Sequence, residues 1–261
     1  MDDNSSKRSS SDDEKENDHD LRWKRLYRIG GTSALIIIGL WIIQGVIIIA
    51  MGPPPSTASG WFTHFEEYGL LGLLNSFLLD IVAVTLMIPV FLALYIALRR
   101  VADSLMAISG ILVLMGITLS FATNVTLSML YLSHQYAAAT TEVQRSLYMA
   151  VGESILTNFN GTGSTIGYLF MSIAGLIISI VMLRSKSFSK ATAYTGILAN
   201  AIQLAEPPGA FVPASFYENM GIGFFLVAVS GVFFIPWYIL SARALLRLGR
   251  LKEKPRPQSS E

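Results

Sequence analysis

The stretch 32-TSALIIIGLWIIQGVIIIAM-51 contains no charged side chain. A helix of about 20 mostly apolar residues is what crosses the hydrocarbon of a bilayer. Similar runs follow at about 69–98, 101–132, 164–183, 191–205 and 220–240, the fifth being the weakest. In lipid every backbone polar group must be satisfied internally, which leaves only helices and closed barrels. These runs are long and continuous, without the alternation over about 10 residues that marks a barrel strand. The expected fold is therefore all-α: a polytopic transmembrane helix bundle of about six spans. The first run exceeds the roughly 7–15 apolar residues of a secretory signal, and no small-x-small cleavage site follows it. It reads as a retained span.

Composition narrows the function classes. Charged residues make up 14% of the chain, against about 25% in a soluble domain. The net charge of +1 gives no basic excess for a nucleic-acid partner. Cysteine is absent, which excludes disulfides, thiol catalysis and cysteine-ligated metals.

The basic residues set the orientation. Placing the segments between runs on alternate sides puts eighteen Lys and Arg residues on one side and only Arg145 on the other. Basic loops stay cytoplasmic, so both termini are expected inside, in a multi-pass protein of the plasma (cytoplasmic) membrane. Aromatic residues fit the two boundaries: Trp23, Tyr27, Trp237 and Tyr238 on the inner side, and Trp61, Tyr68, Tyr131, Tyr136 and Tyr217 on the outer. The chain divides into an acidic cytoplasmic tail (1–20), a six-helix domain (21–248) and a basic cytoplasmic tail (249–261). The first tail has eight carboxylates, three basic residues and almost no apolar side chain. Such a segment buries too little surface to order itself.

Polar residues inside the runs are the candidates for function. Asp80 lies within 75-NSFLLDIVAVTLMIPVF-91, on a small and polar stripe with Gly72, Ser76, Ala83 and Met87. Pro89 cannot donate to the Thr85 carbonyl, so a kink is expected just inward of Asp80. Gly116, Ser120, Asn124 and Ser128 form a second stripe, and Gly196, Asn200, Gln203 and Glu206 a third. Small residues of this kind let lipid-embedded helices pack closely. The ionisable and amide groups need more, because a charged Asp at mid-membrane costs about 2.5–3.5 kcal/mol. Counting about 20 residues outward from Arg99 places Asp80 near the outer boundary. The same count places Asn124 there, and Asn200, Gln203 and Glu206 in the outer half. We therefore expect a polar cavity open to the outside and closed inward, lined by Asp80, Asn124, Asn200, Gln203 and Glu206.

Catalytic and metal motifs are missing. His19, His64 and His134 are the only histidines. None has H-x-x-x-H or H-E-x-x-H spacing, so His64 and His134 read as surface residues and no metal or cofactor is expected. No Ser/His/Asp set can be assembled. The stretch 158-NFNGTG-163 lacks the GKS/T of a phosphate loop and reads as a flexible lead-in to the fourth run.

Four segments carry a family resemblance. They are Arg28 with Gly30 and Gly31, 77-FLLDIVAVTLMIPVFLALYIALRRV-101, 187-SFSKATAYTGILANAIQL-204 and 236-PWYILSARALLRLGR-250. Together they resemble a family of prokaryotic integral membrane proteins of about six helices, built on a domain of unknown function. The resemblance implies the architecture and no activity. The expected protein is not an enzyme. It is transporter-like or binds a small molecule or ion, with the lipid bilayer as its surroundings and no nucleic acid. The alternative is a structural or regulatory membrane subunit without a ligand site.

Overall fold

The apolar runs do form helices. In this computed structural model the backbone is described for residues 3–205 and 222–250, and side chains for 22–74, 77–161, 163, 165–205 and 229–250. The helices are α1 (Asp3–Met51), α2 (Ala58–Leu73), α3 (Asp80–Leu98), α4 (Asp103–Ala122), α5 (Thr126–Ala138), α6 (Glu142–Asn158), α7 (Ser164–Arg184), α8 (Lys190–Leu204) and α9 (Ile222–Leu248). Two π-helical turns, Leu74–Leu79 and Phe159–Gly163, lead into α3 and α7. No strand occurs among the described residues. The backbone of α1 is helical from Asp3, so the acidic leader, expected from its composition to lack order, continues the helix.

Five segments are long and apolar enough to cross a membrane: Arg22–Met51, Phe77–Leu98, Asp103–Ala138, Glu142–Arg184 and Val229–Leu248. The weak fifth run forms α8, whose 15 residues rise about 22 Å, short of the ~30 Å hydrocarbon. It is nevertheless a full member of the bundle. Packing runs α1–α3–α4–α7–α8–α9 and back to α1, a closed ring of six helices.

The two ends of this ring differ. At the basic end, near Arg28, Arg99, Arg184 and Arg247, the interior is filled. Tyr27, Leu94, Leu98, Met106, Ile178, Met182 and Leu245 are almost completely buried in one core. Glycines allow the helices to touch there. A Cβ on Gly30 would lie 2.6 Å from the Ala93 Cβ and 2.8 Å from the Pro89 carbonyl oxygen. One on Gly31 would lie 2.7 Å from Leu246. The Arg28 guanidinium donates to the Gly249 carbonyl at 2.8 Å, closing the C-terminal end of α9, where a positive charge suits the helix dipole. Side chains such as Ile36, Ile43, Ile111, Leu114 and Ile180 face outward from the ring. That surface suits hydrocarbon, where apolar exposure carries no penalty.

The segments read as outer loops at 52–68 and 134–148 are largely helical, and this corrects the sequence reading. Ala58, Trp61, Phe62 and Phe65 form a helical stripe at i+3 and i+4 spacing. They pack with Val125, Met129, Leu132 and Leu156 into a second core, separate from that of the ring. This lobe of α2, α5 and α6 lies beyond the ring's far end, because α4 alone, at 20 residues, already rises about 30 Å. The start of α2 is tied to α6: the Ala58 N–H donates to Glu153 Oε1 at 2.8 Å. A capping box between Thr141 and Gln144 starts α6. Trp61 belongs to the lobe core and not to an interfacial belt. His64, read as a surface residue, is buried between Trp61, Phe65 and Tyr68, whereas His134 is exposed. Gly69 (φ 49°) breaks the helical path of α2. Only glycine adopts that conformation without strain.

Candidate functional site: a cavity inside the helix ring

Toward the far end the ring is hollow. A cavity of about 640 Å³ lies between the six helices, each of which contributes to its lining. α3 begins at Asp80, directly after the π-helical turn Leu74–Leu79. Such turns insert one residue into the helical ladder and re-aim the side chains that follow. The backbone of α3 remains helical through Pro89. The irregularity therefore sits on the far side of Asp80, not just inward of it as the proline had led us to expect. Gly30 of α1 packs directly on the Pro89 carbonyl and supports the helix there.

Asp80, Asn124, Asn200 and Gln203 all line this one cavity. Glu206, Tyr217 and the basic tail from 251 lie outside the described residues. At 19 residues, α3 places Asp80 about 28 Å from Arg99, close to the far edge of a bilayer's hydrocarbon. Asn124 sits in the break between α4 and α5. Its Oδ1 accepts from the Thr126 N–H at 3.1 Å, an Asx turn that starts α5. Asn200 is deeper and buried. Its Nδ2 donates to the Gly196 carbonyl at 2.7 Å, and its amide fills the space beside Gly175 of α7 that a Cβ would occupy. Gln203 Oε1 accepts from the Ser172 hydroxyl at 3.1 Å, joining α8 to α7. Gln203 thus bonds a second helix, whereas Asn124 and Asn200 bond their own segments, and all three line the void.

Asp80 differs from them. No described side chain hydrogen-bonds its carboxylate and no described cation sits beside it. It is the only formally charged residue among the described residues of the lining. Ser120 and Thr123 also line the cavity, but their hydroxyls donate to carbonyls of their own helix, Gly116 and Leu119.

Aromatic residues make up the deeper wall, and here the sequence reading needs correction. Trp237 and Tyr238, read as a belt at the inner boundary, are buried inside the ring and line the cavity. Trp237 lies 11 residues before the end of α9, about 16 Å along it and so near mid-depth. Tyr238 stacks edge-on against Trp41 and Trp237, with ring centroids 5.0 Å apart in each pair. Phe234 and Phe91 extend the cluster. Depth counted from the end of the basic helix would have placed these rings at mid-membrane. Among the described residues the indole N–H of Trp237 and the hydroxyl of Ser179 have no partner, and both press on the bare face of Gly196. Among the described residues no group of three His, Cys, Asp or Glu side chains is placed to hold a metal.

Comparison with curated proteins and with solved structures gave no match. One family does match, over residues 29–242, a span that contains every described lining residue of the cavity. The chain belongs to that family, described as Domain of unknown function (DUF4386).

Proposed function

We propose that this protein is a multi-pass protein of the cytoplasmic membrane that binds a small molecule in the cavity of its helix ring, as a transporter-like or ligand-binding protein and not as an enzyme. The observation that carries the reading is the convergence of Asp80 of α3, Asn124 of the α4–α5 break, and Asn200 and Gln203 of α8 on one cavity of about 640 Å³. Ligand sites are typically concave, about 300–1,000 Å³, mostly apolar, with a few convergent polar groups. An intramembrane carboxylate points the same way, because its burial is costly unless it has a task. The basic residues favour termini on the cytoplasmic side, which makes the hollow half the outer one. The packed basic end then closes the cavity toward the cytoplasm, as one state of an alternating-access cycle requires.

The test is ligand-induced stabilisation of the purified full chain. A thermal-shift screen over ions and metabolites of each charge should find compounds that raise the Tm. Asp80→Leu should leave insertion intact and abolish any proton- or cation-linked uptake into proteoliposomes. A screen in which nothing shifts the Tm, with uptake unchanged in Asp80→Leu, would favour a structural or regulatory membrane subunit.

A further inference from the structure

The lining also specifies what the cavity takes. Building on the ligand-binding reading above, we infer that the ligand is a lipophilic organic monocation, such as a protonated amine or a quaternary ammonium on an apolar body. The first reason is charge. Among the described lining residues Asp80 is the one carboxylic acid, and no Lys, Arg or His accompanies it. An anionic ligand would meet an unopposed carboxylate in a medium of low dielectric, where like charges repel strongly. A cation would supply the partner that the described residues do not.

The second reason is the wall. Trp41, Phe91, Phe234 and Tyr238 offer ring faces and edges at mid-depth, below the carboxylate. Aromatic faces within about 6 Å attract organic cations and accept apolar surface equally well. A small inorganic cation fits poorly, since Ca²⁺, for example, takes about six to eight oxygen ligands. Here the amide oxygens of Asn124 and Gln203 already accept bonds from the protein. The third reason is shape. One carboxylate lies near the far edge and the rings lie deeper, which matches an amphiphile with its charge outward and its body inward. The amide N–H groups of Asn124 and Gln203 are left to meet a neutral acceptor on the same molecule.

Tetraphenylphosphonium and tetraphenylborate test this directly, because they share shape and size and differ in the sign of charge. Binding is read on the purified full chain by calorimetry and by quenching of tryptophan fluorescence. The expected result is that tetraphenylphosphonium binds at least about tenfold more tightly than tetraphenylborate, and that Asp80→Asn erases most of that difference. Gly231→Leu tests the site itself. Gly231 lines the cavity, and a Cβ there meets no described atom within 4 Å, so a larger side chain has room to enter the void. It should weaken the phosphonium at least about tenfold by occupying its volume. Equal binding of the two ions, both lost in Gly231→Leu, would overturn the cation assignment and leave the cavity reading standing. Binding of neither ion, or binding indifferent to Gly231→Leu, would remove both. In phosphatidylglycerol nanodiscs, competition by added phosphatidylethanolamine would identify the cation as a lipid headgroup; lack of competition would identify it as a free amine.

Discussion

The two halves of the helix ring use the same small residues for opposite ends. In the basic half, Gly30 and Gly31 lie so close to neighbouring helices that a Cβ would collide with Ala93, Pro89 or Leu246. In the hollow half, a Cβ on Gly45 or Gly231 would meet no described atom within 4 Å, and both line the cavity. One set lets backbones approach; the other leaves volume. The basic half is filled by Leu94, Leu98, Met106, Met182 and Leu245, whereas around Asp80 and Asn124 the described side chains leave a cavity between the helices. A glycine stripe in a membrane helix is therefore not by itself a sign of packing. Whether it packs or hollows depends on what the opposing helices bring to the same depth.

Removing the ring that divides the halves should have the largest effect. Trp237 is 1% exposed and contacts Phe91, Phe234 and Tyr238. Trp237→Ala should cost about 4 kcal/mol, as large aromatic truncations in cores do, read by thermal unfolding in detergent. Trp237→Phe should cost much less, because it keeps most of the volume and removes an indole N–H that has no partner among the described residues. If the two variants were equally damaging, the indole N–H would have to be bonded, and the floor of the cavity would be polar instead of packed.

The glycines give the sharper contrast. Gly30→Leu should lose about 3 kcal/mol, since the Pro89 backbone cannot move aside. Gly231→Leu should lose nothing, and Gly231→Ala should gain up to about 1 kcal/mol from helix propensity alone. Thermal unfolding of the three variants side by side reads the comparison. Equal losses at both positions would mean that the ring is packed along its whole length and the hollow does not exist.

Much of this was legible in the sequence. The apolar runs correspond to α1, α3, α4, α7, α8 and α9, the members of the ring. Depth, counted from the arginines, grouped Asp80, Asn124, Asn200 and Gln203 without any knowledge of which helices are neighbours. Adjacency itself was not legible, since each stripe shows only its own helix. The aromatic wall was missed because Trp237 and Tyr238 stand near a basic segment, where rings usually mark the headgroups. Only the length of α9 past them shows that they lie deep. The lobe was missed for a different reason. α6 carries Glu142, Arg145 and Glu153, and its charge concealed a helical period that becomes evident once α2 and α5 supply a partner surface.

The lobe tests whether the far end is held together in the same way as the ring. Its helices are joined by one long-range cap, from the Ala58 N–H to Glu153. Glu153→Ala should cost about 1 kcal/mol, the usual scale of a lost N-terminal cap. The effect should be local: hydrogen exchange should quicken at the start of α2 and remain unchanged in the ring, because the two cores are separate. Spread of the faster exchange into α3 and α4 would show one cooperative unit and merge the regions contrasted here.

The smallest expected effect is a pH dependence of the same lobe. His64 is buried beside Trp61, Phe65 and Tyr68, and its Nε2 has no hydrogen-bond partner. Burial lowers its pKa below the usual histidine value, and the nearby Glu67 only partly opposes this. The folded lobe therefore holds a neutral imidazole, whereas the opened lobe binds a proton near pH 6.5. The sign follows from linkage: the open form binds more protons, so stability is full above about pH 6.5 and declines as the pH falls below it. Exchange protection in α2 should fall between neutral pH and about pH 5, with that of the ring unaffected. His64→Phe keeps an aromatic ring in the site and should abolish the slope. A slope that survives this substitution would show that His64 is not its source.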